Sequence, residues 1–146
     1  TTDHLEALVY ATDGTVAPGN RFSLVVDVTP KDGMHVYAPG DHTYRVISLR
    51  VDTPDFIRAN EVTYPESENY HFEPLDERVE VYERPFSLVQ EVAIPMNREI
   101  AGLAAQPGAT LTIEGALEYQ ACDDAICYTP VDLPVSWTFN WRSLVR

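Results

Sequence analysis

Leu111-Thr112-Ile113-Glu114-Gly115-Ala116-Leu117-Glu118-Tyr119, then Gln120-Ala121-Cys122-Asp123-Asp124-Ala125-Ile126-Cys127-Tyr128-Thr129-Pro130, then Val131-Asp132-Leu133-Pro134-Val135-Ser136-Trp137-Thr138-Phe139-Asn140-Trp141 is the run that decides the fold. The first arm alternates apolar and polar residues, and the last has Val131, Leu133, Val135, Trp137, Phe139 and Trp141 at every second position. Period two marks a strand with one buried face, so the arms read as two strands and the middle as the turn of a hairpin. That turn holds both cysteines of the chain, with four residues between them. A hairpin sets opposing side chains about 4.5–5.5 Å from each other, the span a disulfide needs. Cys122 and Cys127 therefore read as a pair able to join and part.

Upstream the same period recurs. Leu5, Ala7, Val9 and Ala11 share a face with Leu8 out of phase, and Phe22, Leu24, Val26 and Val28 form the clearest stripe, ending at Pro30. Met34 to Ala38 is a short segment closed by Pro39-Gly40; Tyr44 to Val51 and Phe56 to Tyr64 are weaker strands. Pro65 to Glu77 has no regular period and reads as a long acidic and aromatic loop, of a kind usually functional or mobile. Val79 to Tyr82 and Phe86 to Ile94 resume strand character, and Asn97 caps a helix of a turn or two that Pro107-Gly108 stops. About nine short strands punctuated by Gly and Pro predict an all-β, immunoglobulin-like antiparallel sandwich.

The 146 residues suit a single domain, 1–146, large enough to bury a core without a staple. A net charge of −13 with no basic run makes nucleic acid and bare membrane surface poor partners. No apolar run reaches the ~20 residues that cross a bilayer, and Thr1-Thr2-Asp3-His4 has no leader-like pattern, which suits a mature secreted form or a domain cut from a longer chain.

Strict alternation along the first arm puts Cys122 with Glu118 and Gln120 on the wetter face, so its thiol is expected to be reachable. Cys127 falls in register with Val131 and Trp137, and the two sulfurs share a face only if the alternation slips, most naturally at Thr129-Pro130, where proline leaves the ladder. A structural bridge is the competing account. Closing so short a loop is worth roughly 2 kcal/mol against nearly 5 for a 100-residue loop, so such a bridge stabilises little. Zinc lacks two further ligands at usable spacing, and Met34-His35 with His42 lacks the hairpin histidine that copper requires, so neither metal nor cofactor is expected. With Glu118, Asp123 and Asp124 nearby and no lysine or arginine within ten residues, a thiolate is disfavoured. That suits exchange with a docked partner that brings its own activated thiolate, with a base required for the reverse step.

Tyr119-Gln120-Ala121-Cys122, the acidic turn and Cys127-Tyr128-Thr129-Pro130, together with Gly33-Met34-His35-Val36-Tyr37 and Glu80-Val81-Tyr82-Glu83, resemble the amino-terminal periplasmic domain of the disulfide-interchange protein DsbD and its relatives. The resemblance implies an immunoglobulin-like fold and a periplasmic or otherwise extracytoplasmic cysteine pair relaying electrons between thioredoxin-fold proteins, separate or fused. It also implies an acidic, aromatic loop over the cysteines, which falls at Tyr70-His71-Phe72-Glu73-Pro74-Leu75, although Pro74 breaks the expected pair of adjacent acids. On that basis Cys122, Cys127 and Glu73 are the reacting groups, and Tyr70, Phe72, Leu75, Tyr119 and Tyr128 form the cap or docking rim. Glu73, Asp76 and Glu77 as solvated charges, Tyr70 and Phe72 as pins for the loop, and His71 as an idle loop histidine are the plainer readings. Two functions follow: a thiol:disulfide oxidoreductase domain, or a noncatalytic immunoglobulin-like module with a static bridge that docks or dimerises a redox enzyme.

Overall fold

Alternating apolar residues become strands wherever a second layer is available to cover them. The computed structural model describes residues 3–142, so Thr1 and Thr2 lie outside the described residues. In chain order its strands are β1 (Leu5–Ala11), β2 (Thr15–Val16), β3 (Arg21–Pro30), β4 (His35–Tyr37), β5 (Ser48–Asp52), β6 (Arg58–Ala59), β7 (Glu68–Phe72), β8 (Glu77–Tyr82), β9 (Phe86–Ala93), β10 (Thr110–Tyr119), β11 (Ala121–Cys122) and β12 (Val131–Trp141), with helix α1 (Arg98–Ala104) before β10. They form sheets ordered β1-β3-β9-β6, β2-β12-β10-β5 and β11-β4-β8-β7.

The first two sheets are the layers of the sandwich. Phe22, Leu24, Val26 and Val28 of β3 and Leu88 and Val92 of β9 meet Leu111, Ile113 and Leu117 of β10 and Trp137 and Phe139 of β12 in one core. Phe22 and Phe139 bring their rings to 4.8 Å. Each such side chain contributes roughly 1.5–3 kcal/mol when fully buried, so this interface carries the fold. The predicted hairpin pairs from Thr110↔Asn140 to Tyr119↔Val131. The Asn97 side chain caps α1 by accepting the Ile100 amide at 2.9 Å, and Ile100 and Ala104 face inward.

The third sheet is where sequence and structure part. The stretch from Pro65 to Glu77, read as an aperiodic loop, contains β7, a 3₁₀ turn at Glu73–Leu75 and the start of β8, with β7 and β8 paired from Glu68↔Val81 to Phe72↔Glu77. An edge strand buries only one face, and its polar outer positions hid the alternation of Tyr70 and Phe72. The segment from Phe56 to Tyr64 keeps only β6 and an isolated bridge at Thr63. With these short additions the described residues hold twelve strands rather than nine.

Candidate redox site

Two neighbouring rows of the third sheet face opposite ways. Ala121, Val36 and Tyr82 look into the sandwich core, while Cys122, Tyr37, Val79 and Val81 form a second cluster with Tyr44 and Tyr70 packed against it. Period two puts His35 and Tyr37 on the side that Cys122 shares, because Cys122 pairs with His35 and Tyr37 with Val81. The pieces that carried the resemblance, Gly33 to Tyr37, Glu80 to Glu83 and the stretch before Cys122, thus bear on β4, β8 and β11 of this one sheet.

Cys122 and Cys127 form a disulfide with their Cα atoms 4.0 Å apart. The bonds Asp123 N to Ile126 O and Tyr128 N to Ala121 O, both 2.9 Å, flank the pair, which therefore occupies the closely spaced, non-hydrogen-bonded position of an antiparallel ladder. The expected slip is present. Between Tyr119↔Val131 and Cys122↔Cys127, Gln120 and Ala121 stand opposite Tyr128, Thr129 and Pro130, one residue more on the proline side.

The expected exposure is corrected. Cys122 is 1% exposed, and Cys127 is the exposed residue of the pair. Alternation counted along β10 fails because the chain leaves that ladder at Gln120 and β11 pairs with β4, whose cysteine-bearing side is roofed by aromatic rings and the turn.

The roof is a small cleft of about 120 Å³ whose lining includes both cysteines, His35, Tyr37, Tyr70 and Glu77. The Tyr37 hydroxyl donates to Cys122 Sγ at 3.2 Å, lies 3.8 Å from Cys127 Sγ and is 3.4 Å from His35 Nε2. Burial, with Tyr44 and Glu77 adding to it, pushes the Tyr37 hydroxyl up to about 12, so it stays protonated as a donor. Its ring stacks on Tyr44 at 4.4 Å, and the Tyr44 hydroxyl donates to Glu77. His35 is 2% exposed with its ring 4.4 Å from that of Tyr70. Burial lowers its pKa, and the charges of Asp124 and Asp123 oppose that.

The turn is fastened at both ends. Asp123 Oδ1 accepts the Ala125 and Ile126 amides at 2.8 Å each, and Tyr128 donates to Oδ2 at 2.8 Å. The Ile126 and Ala125 amides, then the Tyr128 hydroxyl, hold the Asp123 carboxyl below the usual carboxylate range. Tyr70 donates to Asp124 at 2.7 Å, tying β7 to the turn, and its hydroxyl is pushed up to about 12 by burial and by Asp124.

Tyr70 and Phe72 line the cleft, whereas Glu73 lines an adjoining depression with Tyr70, Phe72 and Asp124. Leu75 is 68% exposed at the tip of the 3₁₀ turn, and His71 contacts Asp76 at 2.9 Å. Tyr119 is fully buried in the main core, and Tyr128 braces the turn beneath the ring of His4. His42, read beside Met34 and His35, donates from Nε2 to the Ala38 carbonyl at 2.6 Å and accepts the Tyr44 amide on Nδ1. Sequence reasoning gave no role to Tyr37 or Tyr44 and read Glu77 only as a solvated loop charge. The aromatic spacing of Tyr37 and Tyr44 is visible in the chain, but nothing in it tells which strand Cys122 would join.

A family model described as thiol:disulfide interchange protein DsbD, N-terminal, matches residues 6–135. No curated protein matches the chain significantly. Among solved structures, the N-terminal periplasmic domain of ScsB from Proteus mirabilis aligns at TM-score 0.57 and 10% identity, over 95% of this chain and 47% of that one. The collagen adhesin from S. aureus aligns at only 0.30 and 9% identity, over 98% of this chain and 44% of that one. The chain spans about half the length of these solved chains, and at such identities the ScsB likeness speaks for the fold alone.

Proposed function

Because the chain belongs to the family of amino-terminal domains of the thiol:disulfide interchange protein DsbD, we propose that it passes electrons outside the cytoplasm, to or from a thioredoxin-fold partner, by cycling Cys122 and Cys127 between disulfide and dithiol. The observation that carries this is the asymmetry of the pair: Cys127 is an exposed residue, whereas Cys122 is buried under a hydroxyl donor. A partner thiolate attacks Cys127 Sγ in line with the bond. The Cys122–Cys127 bond breaks, its electron pair stays on Cys122 Sγ, and a mixed disulfide joins the partner to Cys127. The partner's second thiol, once deprotonated, attacks the partner sulfur of that mixed disulfide and releases Cys127 as thiolate. Two electrons have then moved to the domain, and both of its sulfurs take up protons from solvent. Read backwards, the sequence delivers the electrons.

Tyr37 has the better-defined part, since its hydrogen bond to Cys122 strengthens as charge arrives on that sulfur. Tyr70 and Phe72 act as the cap, the exposed Leu75 and Ile126 as the docking rim, and Glu73 sits on that rim. Equilibration with glutathione redox buffers tests the reading. A potential near about −200 mV supports exchange, whereas one well below about −300 mV marks a static bridge and favours the noncatalytic module. Cys122→Ser, which leaves the exposed Cys127, is expected to trap a mixed disulfide with a thioredoxin-fold protein.

A further inference from the structure

We propose that His35 is the base that, through Tyr37, takes the proton from Cys122 when the dithiol closes to the disulfide. The inference rests on the redox reading above and extends it to the buried sulfur, which the first attack on Cys127 leaves unexplained. A buried thiol cannot simply shed its proton to water. Cys122 is 1% exposed, its sulfur lies 3.2 Å from the Tyr37 hydroxyl, and that hydroxyl lies 3.4 Å from His35 Nε2. Tyr37 alone is no acceptor, because a neutral phenol takes a proton only if it gives one up. Passing its own proton to Nε2 while receiving that of Cys122 satisfies this.

The closing step then balances. With Cys127 in a mixed disulfide, the Cys122 S–H proton moves to the Tyr37 oxygen and the Tyr37 proton moves to His35 Nε2. The Cys122 thiolate attacks Cys127 Sγ, the new S–S bond forms, and the expelled partner thiolate leaves with the electron pair. The imidazolium returns its proton to solvent.

The groups facing His35 suit this task. They are Tyr37 on its own strand, Tyr70 from β7, Cys122 from β11, and Asp123 and Asp124 from the turn. Burial keeps the resting imidazole neutral and able to accept, while the two carboxylates favour the cation once it forms. Asp123 is occupied by two amides and Tyr128, and Asp124 by Tyr70, so neither is as well placed to serve Cys122.

The test uses the reduced domain and the aromatic disulfide 5,5′-dithiobis(2-nitrobenzoate). Attack by Cys127 releases one coloured thiolate, and closure by Cys122 releases a second, so stopped-flow absorbance separates the steps. In the wild type the second phase is expected to weaken as pH falls through the histidine range, below about 6.5. His35→Gln, which can still hydrogen-bond to Tyr37 but takes no proton, is expected to slow the second phase relative to the first by about tenfold or more at neutral pH. Its remaining rate should rise only in the thiol range, near about 8.5 and above. Tyr37→Phe removes the intervening oxygen and is expected to do the same. A glutamine variant with the wild-type ratio of phases and the wild-type profile overturns the relay, as does a Tyr37→Phe variant that closes normally. Should either variant fail to fold, the wild-type profile decides, and an inflection confined to the thiol range overturns the proposal. Absence of both phases in the wild type strikes instead at the exchange reading itself.

Discussion

Tyr37→Phe deletes one oxygen from the centre of the site and little else. The phenyl ring still stacks on Tyr44, 4.4 Å away and within 6° of parallel. What goes is the donor to Cys122 Sγ at 3.2 Å. In the disulfide that bond is between neutral groups; when a reductant attacks Cys127, charge collects on Cys122 and the bond becomes charge-assisted. Hydrogen bonds to charged groups are worth about 1.5–3 kcal/mol. With roughly half the charge developed in the transition state of thiol exchange, about 0.75–1.5 kcal/mol of stabilisation is at stake. At about 1.4 kcal/mol per decade this makes reduction about 3- to 12-fold slower. The assay is the pseudo-first-order reduction of the domain by dithiothreitol at fixed pH, followed by free thiol. Tyr44→Phe is the control, since its hydroxyl engages Glu77 and not sulfur. Reduction of Tyr37→Phe at the wild-type rate, or equal slowing in Tyr44→Phe, refutes the assignment of the donor.

Alkylation of the single-cysteine variants by iodoacetamide is expected to be at least about tenfold faster for Cys122→Ser, which leaves the exposed Cys127, than for Cys127→Ser; equal rates at the thiolate plateau would contradict the burial. Gly115→Ala is expected to cost about 1–3 kcal/mol in urea unfolding, because a Cβ there would stand 2.2 Å from the Arg50 carbonyl oxygen and force β5 off β10. Asp123→Asn is expected to lower stability at neutral pH. Because folding depresses the Asp123 pKa, its contribution is present above the unfolded value of about 3.9 and lost as pH falls through the lower folded one, so the gap between wild type and variant closes in acid. A gap that persists unchanged at low pH would assign the effect to something other than the carboxylate.

Much of the molecule was legible in the chain. The stripes Phe22-Leu24-Val26-Val28 and Leu111-Ile113 with Trp137-Phe139 are local patterns whose period alone states which side is buried, and all eight side chains lie in the sandwich core. The helix announced itself through Asn97 because a cap acts on the amide three residues away. The two cysteines were paired from the hairpin, and the odd residue around Thr129-Pro130 followed from proline's missing donor. The β7 strand was missed because an exposed edge tolerates polar residues, here Asn69 and His71, at its outer positions.

Whether a strand exists and which of its sides is apolar is written residue by residue, since each side chain alternates under its own backbone geometry. Which strand lies beside it is not, because that depends on ladder partners far away in the chain. Cys122 makes the difference plain: local counting turned it toward water, and its partnership with His35 on β4, under Tyr37, buried it and left Cys127 as the exposed residue of the pair.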